Sequence, residues 1–209
     1  MKDLVERFSN LSEKEKKIYQ SVMLLLQEGR DINTLTVSEI TEKAGIGKGT
    51  AYGYFKSKEE MVENAVLYGI FQCVSVICEK VDQKSTFREK YMEILDWIDT
   101  IFFEHHVSVI LYQLTQNSMN ASCPVKNNIV LNKAGKNFID ERINRMVKIG
   151  ISEGTLREDG SKEYQQYMIM SSIGAFWMYL NQDENLEKEN RERFKAYLYR
   201  CLVNNLNCT

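Results

Sequence analysis

The chain has 209 residues, of which 44% are hydrophobic and 27% are charged, and its formal net charge is −2 at pH 7. This composition excludes wholesale disorder, and the small net charge excludes a general attraction to nucleic acid or membranes, so any DNA binding must come from a local patch. The five cysteines form no C-x-x-C pair, which argues against a disulfide framework and favours free thiols in a cytoplasmic protein. No continuous apolar run is long enough to predict a membrane span.

Apolar residues recur at helical spacing along most of the chain. The first stripe lies within residues 18–26, and Ser12 with Glu15 forms the S-x-x-E capping box that begins such a helix. Further stripes lie within residues 91–102, 138–146 and 194–202, and the same box recurs at Thr36/Glu39, Ser57/Glu60 and Thr86/Glu89. Strand-like alternation bounded by tight turns is missing. The sequence therefore predicts an all-α fold.

Breaks between the predicted helices divide the chain into two parts. Three breaks, near residues 29–33, 45–49 and 55–57, lie close together and mark off short helices. The later breaks separate longer helices, of the length found in packed bundles. We predict a three-helix module at residues 1–58, followed by a larger helical bundle at residues 59–209.

The segment AGIGKGTAYGYF, residues 44–55, could be either a phosphate-binding loop or the turn and second helix of a DNA-binding motif. A P-loop needs G-x-x-x-x-G-K-[ST] directly after a strand. Aligning Gly47-Lys48 with that motif places Glu42 at the first glycine and Gly49 at the Ser/Thr position. The preceding residues also have the pattern of a capped helix. We conclude that the segment is not a nucleotide loop.

The requirements of a helix-turn-helix are met instead. Thr36 begins a helix that closes at Gly45, where a left-handed glycine lets the next helix leave at a steep angle. Ala51 and Phe55 return to the core, and Ile46 fills the angle between the helices. The residues left for an outer face are Lys48, Thr50, Tyr52 and Tyr54, with Gly49 and Gly53 leaving space for close approach. Four lysines and no acidic residue occur in residues 43–58, which suits phosphate binding. The alternative is an ordinary helical corner with a solvated lysine face.

Residues 36–61, TVSEITEKAGIGKGTAYGYFKSKEEM, resemble the signature of the TetR family of bacterial transcriptional regulators in register. The resemblance is strong over residues 12–65 and only architectural beyond them. It implies a helix-turn-helix DNA-binding domain at 1–58 and an effector-binding and dimerisation domain at 59–209, with no enzymatic activity, cofactor or metal. The DNA-binding residues it implies are Thr36, Lys48, Gly49, Thr50, Tyr52, Gly53, Tyr54 and Lys58, with Thr36 and Lys58 at phosphates.

Two glycines depart from the family pattern. Gly47 stands where the family usually has Ser or Thr, which removes a hydroxyl and a helix N-cap. Gly53 stands where a large or basic residue is common. Because glycine destabilises a helix by about 1 kcal/mol relative to alanine, we expect a loosely ordered recognition helix until DNA binds.

Large aromatic and methionine side chains are abundant in the second part of the chain. In the TetR family such residues line a pocket whose small-molecule ligand releases the DNA, while packing in the core is the alternative for each residue taken singly. His105 and His106 are adjacent on a predicted helix, point apart and therefore do not predict a metal site. The predicted effector-binding residues are Trp97, Phe102, His105, Tyr112, Phe138, Met146, Met168 and Phe176.

An apolar stripe close to the C-terminus predicts a dimer interface. The preceding helix carries small residues that allow close helix approach, so we expect the two helices to pack against their symmetry mates in a four-helix interface. The predicted dimerisation residues are Ser171, Ala175, Phe194, Tyr197, Leu198, Cys201 and Leu202.

The sequence therefore favours a ligand-responsive transcriptional regulator that binds a palindromic double-stranded operator as a homodimer, with repression as the expected mode of action. An adaptor protein that has lost DNA binding, and an enzyme without a recognisable catalytic constellation, are the alternatives. The identity of the small-molecule effector is not encoded in any motif.

Overall fold

The computed structural model describes residues 8–104, 133–158, 161–182 and 185–207. For residues 103–104 and 133–138 it describes the backbone without the side chains. Helices form all the regular structure in the described residues. Within these ranges the all-α prediction is confirmed. The helices are α1 (Glu13–Gln27), α2 (Val37–Ala44), α3 (Lys48–Tyr52), α4 (Lys58–Asp82), α5 (Phe87–Glu104), α6 (Lys133–Ser152), α7 (Lys162–Leu180) and α8 (Lys188–Asn207).

The described residues up to Ser75, together with residues 133–136, form a first compact unit. In its core α1 packs against α2, and α2 packs against α3. Ile18, Val22 and Leu26 of the predicted stripe are fully buried, as are Ile40 of α2 and Ala51 of α3. The apolar spacing in the sequence thus identified the buried face of each of these helices.

The predicted capping boxes begin the helices where they were expected. The Glu15 N–H donates to Ser12 Oγ at 3.3 Å, and the Ser12 N–H donates back to the Glu15 carboxylate at 2.9 Å. The same reciprocal pair joins Thr36 with Glu39, and Thr86 with Glu89. At the start of α4 the Glu60 N–H donates to Ser57 Oγ, but the Glu60 carboxylate accepts from the Lys56 N–H instead.

The longest described helix is α4, with 25 residues. Its first half packs into the core of the first unit through Met61, Val62, Ala65, Val66 and Leu67. By length and composition alone this helix could cross a membrane. Burial in a folded core accounts for the apolar character of its first half, where the buried residues lie. Because α4 contains both Ser75 and Val76, the division between the two compact units falls inside it.

The second compact unit contains Val76–Glu104 and the described residues from Asn137 onward. Its core is formed by α5, α7 and α8, each of which packs against the other two, together with side chains of α6. Tyr91, Leu95, Ile169, Phe176 and Leu180 are fully buried there. The described cysteines of the two units, Cys73, Cys78 and Cys201, are free thiols as predicted.

Charged side chains are buried within the second unit. Lys195 of α8 is 2% exposed, and its Nζ lies 2.8 Å from Asp96 Oδ1 and 2.9 Å from Asp99 Oδ2, both on α5. Glu192 adds a third carboxylate at 2.7 Å, and the Nζ lies 5.8 Å from the Phe176 ring centroid. Burial alone would lower the pKa of Lys195, but hydrogen bonds to Asp96, Glu192 and Asp99 raise it above its ordinary value.

Candidate nucleic-acid interface

The turn between α2 and α3 has the geometry of a helix-turn-helix. Gly45 is left-handed, with φ 64° and ψ 34°, and its N–H donates to the Glu42 carbonyl at 3.1 Å. The Ile46 N–H reaches back to the Thr41 carbonyl at 2.9 Å, which closes the end of α2. Ile46 is half-buried against the core. The turn therefore forms as the glycine and the apolar residue after it predicted.

Helix α3 is short and begins without a side-chain cap. Its N-cap is Gly47, so no side-chain hydrogen bond satisfies the first amides, as the missing hydroxyl predicted. Ala51 is buried in the core, and Thr50 is half-buried. Lys48, Gly49, Tyr52 and Gly53 are exposed. Residues four apart share one helical face, so Gly49 and Gly53 lie in a row beside the row of Lys48 and Tyr52.

Two large aromatic side chains are exposed on this unit. Tyr52 is 54% exposed and makes no ring contact with any described residue. Tyr54 is 41% exposed, and its ring lies 6.4 Å from that of Phe55, which is buried. Both rings are therefore accessible to a binding partner.

The lysines near α3 differ in whether acidic residues neutralise them. Lys43 forms an ion pair with Glu28 at 2.5 Å, outside the turn. Among the described residues Lys48 and Lys56 form no ion pair, and both are exposed. The positive charge that remains for a phosphate backbone is therefore concentrated on either side of α3.

The two predicted phosphate contacts are engaged within the protein. The Thr36 hydroxyl donates to the Glu39 carboxylate at 2.7 Å, and Glu39 also pairs with Arg30. The hydrogen bonds from Thr36 hold the pKa of Glu39 below its ordinary value, so a carboxylate occupies the start of α2. Lys58 is half-buried and donates to the Asn33 carbonyl at 3.0 Å, which leaves two of its three N–H groups for other acceptors.

Five of the eight predicted effector-binding residues lie in one apolar cluster of the second unit. Phe102, Met146 and Phe176 are buried in it, and Trp97 and Met168 pack against it. The Phe102 ring meets the Trp177 ring edge-on at 5.3 Å between centroids. His105, Tyr112 and the side chain of Phe138 lie outside the described residues. These five side chains thus share one core.

The predicted dimerisation residues fall into two sets. Leu198 and Leu202 are 8% and 2% exposed, because they face the core of their own subunit. Ser171 and Tyr197 are exposed, and Ala175, Phe194 and Cys201 are half-buried. Phe194 stacks on Tyr179, with 3.9 Å between ring centroids and 17° between planes. The exposed face is therefore turned away from the two leucines.

Several surface residues of this region were missed by the sequence reasoning. Tyr167 and Met178 of α7 are 67% and 71% exposed, and they lie in the same helical row as Ser171 and Gly174. Their spacing of three and four residues is the sequence signal that could have identified them. A cleft of about 300 Å³ is lined by one residue of α7 and five of α8, namely Tyr179, Asn190, Arg193, Phe194, Tyr197 and Arg200.

Comparison with known proteins agrees with this geometry. Residues 24–65, which contain the turn and α3, match the family model described as bacterial regulatory proteins, tetR family. The chain is also 27% identical, over 137 residues, to the fatty acid metabolism regulator protein of Bacillus subtilis. That match covers 66% of this chain and 68% of the relative. The family and this relative are regulators and not enzymes.

Solved structures share the fold over nearly the whole chain. The fatty acid degradation regulator FadR of Bacillus halodurans superposes with a TM-score of 0.67 at 17% identity, over 93% of this chain and 96% of that one. The transcriptional regulator FadR of Bacillus subtilis, solved in complex with stearoyl-CoA, gives a TM-score of 0.62 at 20% identity, over 90% and 97% of the two chains. At these identities the likeness concerns the fold.

Proposed function

We propose that the chain is a transcriptional regulator of the TetR family, which the match of residues 24–65 and the likeness to a Bacillus subtilis regulator support, and that it acts in the cytoplasm as a homodimer that binds a palindromic operator. In this proposal the bound dimer represses transcription, and a small molecule in the second unit releases it. The observation that carries the proposal is the exposed face of α3, where Lys48 and Tyr52 have no partner among the described residues.

The chemistry of this face fits the DNA duplex. Unpaired lysines attract phosphates, and a short helix with little side-chain bulk can enter the major groove. A two-fold dimer would place two copies of α3 in successive major grooves, about one helical turn or ~34–36 Å apart, or at a related spacing. The operator should therefore be a palindrome.

Selection of bound duplexes from a random pool tests the proposal directly. We expect a palindromic winner whose binding weakens as salt increases. Lys48→Ala should reduce the slope of log K against log salt by about 0.9 for each phosphate that a subunit no longer neutralises. The matched control is Lys148→Ala, which removes an exposed lysine of α6 and should leave the slope unchanged. Failure of the intact dimer to enrich any duplex would favour an adaptor role instead.

The exposed row on α7 supports the dimer. Gly174 lies inside a 19-residue helix, yet a Cβ added to it would meet no atom within 4 Å. Packing within the subunit therefore does not require glycine at position 174, although glycine destabilises a helix by about 1 kcal/mol relative to alanine. Close packing of a second helix does give a reason for it, and Tyr167 and Met178 on the same row supply apolar area for that contact.

Met178→Glu tests this interface without disturbing the core of the subunit, since Met178 is 71% exposed. We expect the variant to sediment as a folded monomer at micromolar concentration and to lose tight operator binding. Leu24→Glu, at an exposed leucine of α1, is the control and should remain dimeric. A wild-type protein that is monomeric under these conditions would contradict the proposal. Leu198→Glu cannot serve, because it would place a charge in the core of the subunit.

For the effector we propose a fatty acyl compound. The curated relative is named for fatty acid metabolism, and one structural neighbour was solved with stearoyl-CoA. The apolar cluster around Phe102, Met146 and Phe176 has the chemistry to accept an acyl chain, since methionine and aromatic groups adapt to flexible apolar ligands. Release of DNA would require the ligand to bind one arrangement of α4 better than another.

Titration with stearoyl-CoA, and with CoA as the matched control, tests the effector. We expect stearoyl-CoA to bind and to lower operator affinity, while CoA alone has no effect on it. Phe176→Ala should weaken the response, because Phe176 is fully buried in the cluster. Tight binding of stearoyl-CoA with unchanged operator affinity would show that this site does not regulate DNA binding.

A further inference from the structure

The cleft formed by Tyr179 of α7 and one face of α8 has a lining that suits a single kind of ligand. Its charged side chains are those of Arg193 and Arg200, and no Asp or Glu lines it. Its volume of about 300 Å³ lies at the lower end of the range for small-molecule sites. Because every charge in the lining is positive, the cleft should attract a small anion.

The polar groups of the cleft are accessible to a ligand. Arg200 is exposed and forms no ion pair with any residue that the structure describes. Arg193 pairs with Glu189 at 3.0 Å, but their side chains are 72% and 80% exposed, and such a surface pair is weak. Asn190 adds an exposed side-chain amide that makes no hydrogen bond with another described residue. A guanidinium holds a carboxylate or phosphate through two parallel hydrogen bonds, so an anion can bind here without breaking a buried contact.

Aromatic rings form the rest of the lining. The Phe194 ring stacks on that of Tyr179, with 3.9 Å between centroids, and on that of the buried Phe176, with 6.5 Å. Tyr197 is 55% exposed and makes no ring contact with any described residue. Residues 193, 197 and 200 share one face of α8, where Tyr197 lies between two arginines whose Cα atoms are about 10 Å apart. A flat ring placed on Tyr197 would therefore have a guanidinium on either side.

We propose that this cleft binds a planar aromatic anion, whose ring stacks on Tyr197 and whose phosphate or carboxylate group is held by Arg200 and Arg193. Nucleotides and aryl carboxylates share this chemistry. The site is distinct from the buried cluster proposed for the acyl effector, because its residues lie on the outer face of α8. It does not depend on DNA binding.

The other possible occupant of the cleft is a second copy of the chain. A two-fold interface brings the same patch of both subunits together, so each copy would present the same two arginines. The exposed row of α7 carries no carboxylate to neutralise them, since it consists of Tyr167, Ser171, Gly174 and Met178. The charge of the cleft thus favours an anionic small molecule over a second subunit.

Isothermal titration calorimetry with four probes tests the proposal. AMP and 2-naphthoate each combine a flat ring with an anionic group, whereas adenosine and 2-naphthamide are their uncharged counterparts. We expect at least one of the two anions to bind with a Kd below about 1 mM, at one molecule for each subunit. Its uncharged counterpart should bind at least about tenfold more weakly, because no group pairs with the arginines. The tighter anion identifies phosphate or carboxylate as the group that the site recognises.

Variants of exposed residues show whether the cleft is the site. Arg200→Ala should weaken binding by about tenfold or more, and Arg200→Lys should restore only part of it, because lysine keeps the charge but not the paired hydrogen bonds. Tyr197→Ala should weaken binding by about fivefold or more through lost stacking, while Tyr197→Phe should retain it. Arg145→Ala, at an exposed arginine of α6, is the matched control and should leave binding unchanged.

The Met178→Glu variant separates the two occupants. Equal affinity of the anion for the wild type and for this monomeric variant would support a site that is complete within one subunit. Binding by Met178→Glu alone would show that a second copy covers the cleft in the dimer, which overturns the proposal. Failure of both anions to bind, or binding that Arg200→Ala leaves unchanged, would overturn it as well. Selection of operator duplexes is independent of all these results.

Discussion

The cores of the two units differ in the polar groups that they bury. Among the described residues, the polar groups buried in the first core are uncharged. Two of them are satisfied by their own helices: Ser21 Oγ donates to the Lys17 carbonyl and Thr41 Oγ1 to the Val37 carbonyl, each at 2.8 Å. The second core buries charges, of which Lys195 and Asp99 are the pair furthest from water. These two residues pair across two helices, α8 and α5, that lie far apart along the chain.

This difference indicates which interactions determine the fold of each unit. The first unit depends on short-range rules, such as caps, a left-handed glycine and apolar spacing. In the second unit long-range ion pairs hold α5 and α8 in a fixed alignment, because a buried charge tolerates no other partner. Substitutions of buried charged residues should therefore lower stability most in the second unit. Substitutions that disturb the backbone conformation should be the informative ones in the first unit.

Removal of the Lys195 ammonium should have the largest effect. Lys195→Ala leaves the buried Asp99 carboxylate with one cationic partner, Arg191, where it had two. We expect the free energy of unfolding to fall by about 3–5 kcal/mol. Urea denaturation measures the change. The control is Arg193→Ala, which breaks an exposed pair with Glu189 and should cost less than about 1 kcal/mol. Equal, small losses in both variants would show that the buried network does not stabilise the fold.

Tyr91 should make the second unit sensitive to alkali. Burial raises its pKa from 10.0 to about 12, and its hydroxyl hydrogen-bonds with Ser172. The unfolded phenol ionises above pH 10 while the folded one stays protonated, so the free energy of unfolding falls between pH 10 and 12. At ~1.4 kcal/mol for each pH unit, the decrease is about 2–3 kcal/mol.

Tyr91→Phe removes this ionisation and should make stability less dependent on pH in that range. Denaturant titrations of the wild type and the variant across the range supply the difference, because other alkaline groups contribute equally to both. Parallel pH profiles of the two proteins would mean that Tyr91 is not held protonated by the fold.

In the first unit, Gly45→Ala should be the informative backbone change. Alanine at a φ of 64° costs about 1–2 kcal/mol, although a Cβ there meets no atom within 4 Å. Gly47→Ala is the matched control, since Gly47 has a φ of −66° and the nearest atom to its Cβ is 3.9 Å away. Thermal unfolding should separate the two variants. A Gly45→Ala protein as stable as the control would show that the turn adopts another conformation.

The first unit could be predicted almost residue by residue because its rules are local. Ser12 with Glu15 predicted a helix start, and Gly45 predicted the turn, from neighbours within one or two helical turns. The stripe of the last helix showed the limit of this reasoning. Leu198 and Tyr197 look alike as apolar groups near a C-terminus, but Leu198 packs inside the subunit and Tyr197 is 55% exposed.

The long-range ion pairs between α5 and α8 had no local sequence signal comparable to a capping box or a turn glycine. Lys195 lies 99 residues from Asp96, and nothing in the spacing of either residue predicts that they meet. Only the packing of α8 against α5 brings them together. The candidate DNA surface could be predicted because one short segment carries it. The exposed face of α7 could be identified only from the structure, which shows that Met178 is exposed while neighbouring residues of the helix are buried.

The central claim is that two copies of this chain bind one palindromic operator through α3, and the stoichiometry of the complex tests it most directly. Sedimentation of the protein with its selected duplex should give two subunits for each palindrome, or two dimers where half-sites overlap. Destroying one half-site should weaken binding far more than a mismatch elsewhere. A single subunit bound to each duplex, with equal affinity for whole and half operators, would contradict the account.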